Sequence, residues 1–172
     1  MKRINNPSHA RYITFSTFQR LNLLGTEALR DAFVDQLIRT RERHQFFLYA
    51  WVLMPNHAHL LLRDPVKGDI EGILRALKLG FSKRVLNRWI ELDAPIMERL
   101  VDARGTRRFW QRGGGYDRNI HSDTEFEEKI GYIHMNPVRA GLVDTPSDWA
   151  WSSARWWDGE REGQVACDSR VV

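Results

Sequence analysis

Hydrophobic and polar positions change their period several times along the 172-residue chain, and each change predicts an element. Arg11 to Thr17 (RYITFST) alternates and is rich in β-branched and aromatic residues, which predicts a strand. Thr26 offers a hydroxyl N-cap, and Leu29, Phe33 and Leu37 follow at four-residue steps, predicting a helix to about His44. Phe46 to Met54 is almost continuously apolar, the pattern of a strand buried on both faces. Pro55-Asn56 is a turn signal and His57 to Arg63 resumes as a strand, so these two pair antiparallel. A second helix is predicted from about Asp69 to Ile90, with Ile70, Ile73, Leu74, Leu77 and Phe81 on one face. Its phase slips after Phe81, and Gly80 weakens it there, so a bend or early end is expected. Residues 92–105 read as a loop, and Arg108 to Ile120 as a strand interrupted by Gly113-Gly114-Gly115. Ser122 with Glu125 is a capping box opening a third helix, whose stripe is Phe126, Ile130 and Ile133. Pro137 disfavours helix at the residue before it, placing the end near Asn136.

Strand, helix, strand, strand, helix, strand, helix is a ferredoxin-like split βαβ pattern (βαββαβ) with an added C-terminal helix bearing Tyr132. The class is α+β, with a mostly antiparallel sheet and helices on one face. The length suits one domain over residues 1–172, with a core of about 8–145 and a tail of 146–172. In that tail Trp149, Trp151, Trp156 and Trp157 are expected to pack over the sheet.

Composition narrows the class. With 42% hydrophobic and 28% charged residues the chain is too apolar to be disordered. Its longest apolar stretch, Phe46 to Pro55, is about half of a membrane span, and no hydrophobic leader precedes Arg11. Cys167 is the single cysteine, which excludes an internal disulfide and a cysteine zinc site. A cytoplasmic, nucleoid-associated setting is the simplest expectation, with no membrane partner.

Charge points to a polyanion. The net charge is only +4, yet residues 71–118 hold 11 basic and 6 acidic side chains. Gly72 to Ile90 contains Arg75, Lys78, Lys83, Arg84 and Arg88 and no acid. A second group, Arg104, Arg107, Arg108, Arg112 and Arg118, surrounds the glycine run, where backbone can approach a phosphate closely. Arginine outnumbers lysine 21 to 5, and its planar fork favours bidentate phosphate contacts. The competing reading is a solvated helix face and a hairpin tip.

Two local arrangements carry chemistry. In Pro55-Asn56-His57-Ala58-His59-Leu60 the strand period puts both imidazoles on one face, roughly 7 Å apart at Cα, where they can pinch a divalent metal. The alternative is two polar positions on a half-exposed sheet. In the third helix Tyr132 lies well away from the apolar stripe, and Asn136 follows one turn later on its own face. The alternative there is an amphipathic boundary tyrosine. Tyr116 is a rival nucleophile, although three glycines before it and an acid after it favour base stacking or a structural role.

Together these features resemble the single-tyrosine HUH transposases of the IS200-like group, most nearly the REP-associated tyrosine transposases. The resemblance rests on an opening strand with Thr14 and a later Arg20, AWVLMPNHAHLLL, RFWQRGGGYDRNI, YIHMNPVRAGLV and the trailing WAWSS. It implies that His57 and His59 hold a Mg²⁺ or Mn²⁺ ion with Asn136 as third ligand, and that Tyr132 is the nucleophile. It further implies cleavage and rejoining of single-stranded hairpin DNA through a 5′-phosphotyrosine, by a monomer or homodimer. Arg75, Lys78, Arg84, Arg88, Arg107, Arg108, Arg112 and Arg118 are the candidate DNA contacts. Two other classes share the pattern: a hairpin-binding regulator without catalysis, and a metallo-hydrolase that uses water.

Overall fold

In the computed structural model, residues 9–64, 69–113, 115–161 and 163–169 are described. Gly114, in the middle of the glycine run, lies outside them. Four strands, β1 (Arg11–Ser16), β2 (Phe47–Met54), β3 (His57–Arg63) and β4 (Tyr116–Asn119), form one sheet in the order β2-β3-β1-β4. Every pairing is antiparallel. Helices α1 (Glu27–His44), α2 (Ile70–Glu91) and α3 (Asp123–Arg139) complete the expected βαββαβ order with its added helix.

The two faces of the sheet are covered differently. Ile13, Phe15, Leu60 and Leu62 point to α1 and α2, where Phe15, Phe33, Phe81, Phe109 and Trp110 form one aromatic cluster with centroids 4.8–6.2 Å apart. The third helix lies on the opposite face, where Phe126 meets Tyr49 at 5.1 Å and Tyr132 meets Tyr12 at 6.1 Å. The expectation of helices on one face is therefore corrected. The face that carries the histidines is roofed by α3 rather than open, because its stripe of Phe126, Ile130 and Ile133 needs an apolar partner.

Other boundaries moved for identifiable reasons. The second helix neither bends nor stops after Phe81. Val85 extends the buried row Ile70, Ile73, Leu77, Phe81, while Leu74 is only partly buried. Gly80 sits where a Cβ would come within 2.6 Å of the Gln36 amide, so its lack of side chain serves close α1–α2 packing. The last strand shortens from Arg108–Ile120 to Tyr116–Asn119, since Phe109 and Trp110 turn into the aromatic cluster. The loop at 92–105 holds a short 3₁₀ helix, Pro95–Leu100, that buries Met97 and Leu100.

Helix α3 also runs through Pro137 to Arg139. Proline cannot donate to the carbonyl of Ile133. The Asn136 side chain compensates, its Nδ2 donating to the Tyr132 carbonyl at 2.8 Å and towards that of Ile133 at 3.4 Å. The tail lies along the β2 edge rather than over the sheet. Ser152 bridges Val52, Leu53 donates to the Trp151 carbonyl, and Asp168 donates to that of Leu48. This covers an edge that would otherwise present unpaired backbone.

Candidate active site

The β1–β3 register places Thr14 opposite His59 and Ser16 opposite His57, on the face beneath α3. His57, His59, Tyr132 and Asn136 all line one cleft of about 450 Å³, together with Tyr12, Thr14, Arg20, Tyr116 and Lys129. The two imidazoles stand edge to face with centroids 4.8 Å apart, and the Tyr132 ring is 5.9 Å from His59. Tyr132 is 41% exposed, so its phenol can be reached from solvent.

Each histidine is held by its Nδ1. His57 Nδ1 donates to Asn56 Oδ1 at 2.6 Å. His59 Nδ1 is engaged by the Tyr12 hydroxyl at 2.6 Å and the Thr14 hydroxyl at 2.8 Å. The other ring nitrogen of His59, Nε2, is buried and makes no hydrogen bond. A buried polar atom without a partner costs free energy unless something else fills the position. An outer partner on one nitrogen and a bare second nitrogen is the usual state of a metal-binding histidine.

The charge state fits as well. Burial, reinforced by the Arg20 guanidinium, pushes the His57 pKa down to about 4. Burial and the neighbouring His57 push His59 down to about 3, opposed by the side chain of Asn136. Both rings are neutral at physiological pH and offer a lone pair without first losing a proton. Burial also pushes the Tyr12 hydroxyl up to about 12, so it stays uncharged, and its oxygen can accept from an Nδ1–H while Nε2 keeps its lone pair. Among the described residues no cluster of three or more His, Cys, Asp or Glu occurs, so a third protein donor to an ion here would have to be of another type. Asn136 could supply it. Its amide nitrogen is committed to helix carbonyls, which leaves the oxygen as the end that can act on His59. Two imidazoles and an amide oxygen suit a divalent ion that keeps sites open for water and phosphate.

The expected DNA contacts divide. Arg75, Lys78, Arg107, Arg108 and Arg112 line a second groove of about 680 Å³ on the opposite side of the sheet, beside α2. Within it Arg75 pairs with Glu71 and Arg108 with Asp102, and the other three lie outside it: Arg84 donates to the Ala32 carbonyl of α1, Arg88 pairs with Glu91, and Arg118 with Glu125. His134 faces away from the cleft and bonds Ser153 of the tail at 2.9 Å.

Lys129 and Tyr12 join the site although sequence reading did not single them out, Thr14 and Arg20 were noted only as part of the family resemblance, and Tyr116, read as a rival nucleophile or a stacking or structural residue, lines the same cleft. The Lys129 ammonium lies 5.3 Å from the Tyr132 ring and the Arg139 guanidinium 5.0 Å from it. Period-two reading of β1 held a signal for Tyr12 and Thr14, since polar groups alternate there with Ile13 and Phe15. Arg20 gave none, because a turn of Thr17 to Leu21 carries it back to the cleft.

The family described as transposase IS200 like matches residues 8–136, and the chain belongs to it. Among its relatives, a REP-associated tyrosine transposase of Escherichia coli K12 is 28% identical over 117 residues, 68% of this chain and 59% of that protein. A Haemophilus influenzae protein described in the same terms is 28% identical over 116 residues, 67% of this chain and 62% of its own length. The chain thus spans about 60% of these relatives. The solved structure of a REP-associated tyrosine transposase bound to a REP hairpin superposes with a TM-score of 0.72, covering 100% of this chain and 98% of that one. At 19% identity the likeness is one of fold. Among the described residues no helix is long and apolar enough to cross a membrane.

Proposed function

We propose that the chain is a metal-dependent tyrosine transposase that nicks and rejoins single-stranded, hairpin-bearing DNA through a 5′-phosphotyrosine. The observation that carries this reading is the meeting of Tyr132 with His59 at 5.9 Å in one cleft of a single chain. His57, His59 and Asn136 would hold Mg²⁺ or Mn²⁺. When bound, such an ion neutralises a non-bridging phosphate oxygen and orients phosphorus for in-line attack.

The chain's own residues do the rest. Tyr132 attacks phosphorus, a Tyr132 O–P bond forms and the P–O3′ bond breaks, and the departing oxygen takes up a proton to become a free 3′-OH. The phenol proton is lost at attack, favoured by the cations Lys129 and Arg139 beside the ring. Because one ester replaces another, a second 3′-OH can reverse the step without ATP. Tyr12, Thr14 and Asn56 fix both imidazoles, so little reorganisation is needed during reaction. The cationic groove beside α2 grips the DNA backbone.

The test is a labelled single-stranded hairpin taken from palindromes flanking the gene. Wild type is expected to give a covalent protein–DNA adduct that needs divalent metal, and Tyr132→Phe none. His57→Ala is expected to lose cleavage while binding the hairpin within a few fold. Continued cleavage by Tyr132→Phe would favour a water-using hydrolase. Binding without cleavage by wild type would favour a regulator.

A further inference from the structure

Tyr116 stands out among the cleft residues because it is 53% exposed on the cleft wall, an unusual position for a large aromatic residue. Its place is fixed by the backbone. Gly115 has φ +71°, and a Cβ there would lie 1.8 Å from the Thr14 carbonyl oxygen, so only glycine lets β4 close onto β1. Tyr116 then pairs with Thr14, the residue that also holds His59. The ring meets Tyr12 edge to face with centroids 5.8 Å apart, and Tyr132 abuts the same Tyr12 at 6.1 Å. About half of Tyr116 remains open to solvent. Arg20 and Lys129 supply positive charge around the same opening.

We infer that Tyr116 is the stacking platform for an unpaired base flanking the scissile phosphate. Two features favour a base over a phosphate as its ligand: the ring face is apolar, and the cations needed for phosphate are already set beside it. A single strand bent into a nicking site loses stacking with its neighbours, and a rigid ring restores part of it. This rests on the proposed nicking function, and Tyr116 acts as a positioning residue rather than a nucleophile.

The experiment uses the full chain carrying Tyr132→Phe, so that binding is read without cleavage, and hairpins with 2-aminopurine at each position flanking the nick. One position is expected to be quenched on binding, and Tyr116→Leu in that background should restore its fluorescence while Tyr116→Phe should not. In the nicking-competent protein Tyr116→Leu should lower nicking of the intact strand roughly 10-fold, the size of one stacking contact. With an abasic site at the quenched position that difference should vanish. Melting of both variants within a degree or two of wild type would exclude a folding effect. Equal loss on intact and abasic substrates, or quenching that survives Tyr116→Leu, would overturn the platform. Loss of the covalent adduct in Tyr116→Phe would instead make Tyr116 chemically essential and also overturn it. Failure of the nicking reading shows separately, as absence of adduct from wild type, and leaves the fluorescence result intact.

Discussion

Gln19 and Arg20 hold φ of +51° and +54°, in the left-handed region where a residue with a side chain costs about 1–3 kcal/mol. Asn56 ties this turn to the site, its Nδ2 donating to the Arg20 carbonyl and its Oδ1 accepting from His57. The strain buys one thing, a guanidinium in the cleft beside both imidazoles. Arg20→Ala is expected to lower nicking about 100-fold, the scale of removing one donor from a developing anion, while hairpin affinity changes by no more than a few fold. Lysine at this position should recover only part, lacking the bidentate fork. Glycine gives the clearest result. Arg20→Gly should be as inactive as alanine yet gain roughly 1 kcal/mol of stability, read as a higher melting temperature.

His134 offers a second residue-scale expectation, well separated from the reacting groups. Burial pushes its pKa down to about 4, against 6.5 when unfolded, so below pH 6.5 the unfolded chain binds the extra proton. Stability is therefore complete above pH 6.5 and falls as pH drops towards 4, by on the order of 3 kcal/mol for this group. Denaturant melts of His134→Gln between pH 7 and pH 4 should show a shallower decline than wild type. An identical decline would mean that the ring protonates while the chain remains folded.

At the level of elements, positions governed by local period were legible and those governed by distant contacts were not. His57 and His59 share a face because strands repeat every two residues, and Tyr132 and Asn136 because helices nearly repeat every four. Both patterns lie within a few residues of sequence. Lys129 shares the Tyr132 face by the same helical period, three residues earlier on α3, whereas Arg20 and Tyr116 meet the site only through the β3-β1-β4 order, which no local pattern states. The run of α3 through Pro137 was likewise hidden, because the missing donor is replaced by a neighbouring side chain. Gly115 is the element-scale hinge of the site. Its alanine variant must adopt a left-handed conformation and push against the Thr14 carbonyl, which nothing flexible can relieve. Gly115→Ala is expected to cost roughly 3 kcal/mol and to detach β4, removing nicking together with hydrogen-exchange protection of β1. By contrast Gly80→Ala meets only the end of the Gln36 side chain, and the helix propensity gain of about 1 kcal/mol should offset that displacement.

For the whole molecule, the decisive feature is that the two cavities lie on opposite sides of one sheet. The cleft takes its histidines from the α3 face, and the cationic groove runs beside α2 on the other. Two segments touch both: in β1 Arg11 lines the groove and Tyr12 the cleft, and Arg107 to Gly113 line the groove while Tyr116, three residues on, lines the cleft. A strand bound in the groove can therefore reach the cleft around the β4 edge, where Gly113 and Gly115 present little side chain. On this arrangement affinity and chemistry are separable. Single-stranded binding loses about 0.7 in the slope of log K against log salt for each phosphate contact removed. Replacing Arg75, Arg107 and Arg112 with alanine together should thus reduce that slope by about 2 and weaken binding most at low salt. Nicking at saturating DNA should stay near wild type, since none of the three lines the cleft. Replacing Arg84, Arg88 and Arg118 serves as the matched control, having the same loss of charge. Those three do not line the groove, so the slope should move much less. Equal slopes from the two triple variants would mean that net charge, rather than the groove, governs affinity. A slope change confined to the control would place the DNA on the outer face of α2 and break the path from groove to cleft.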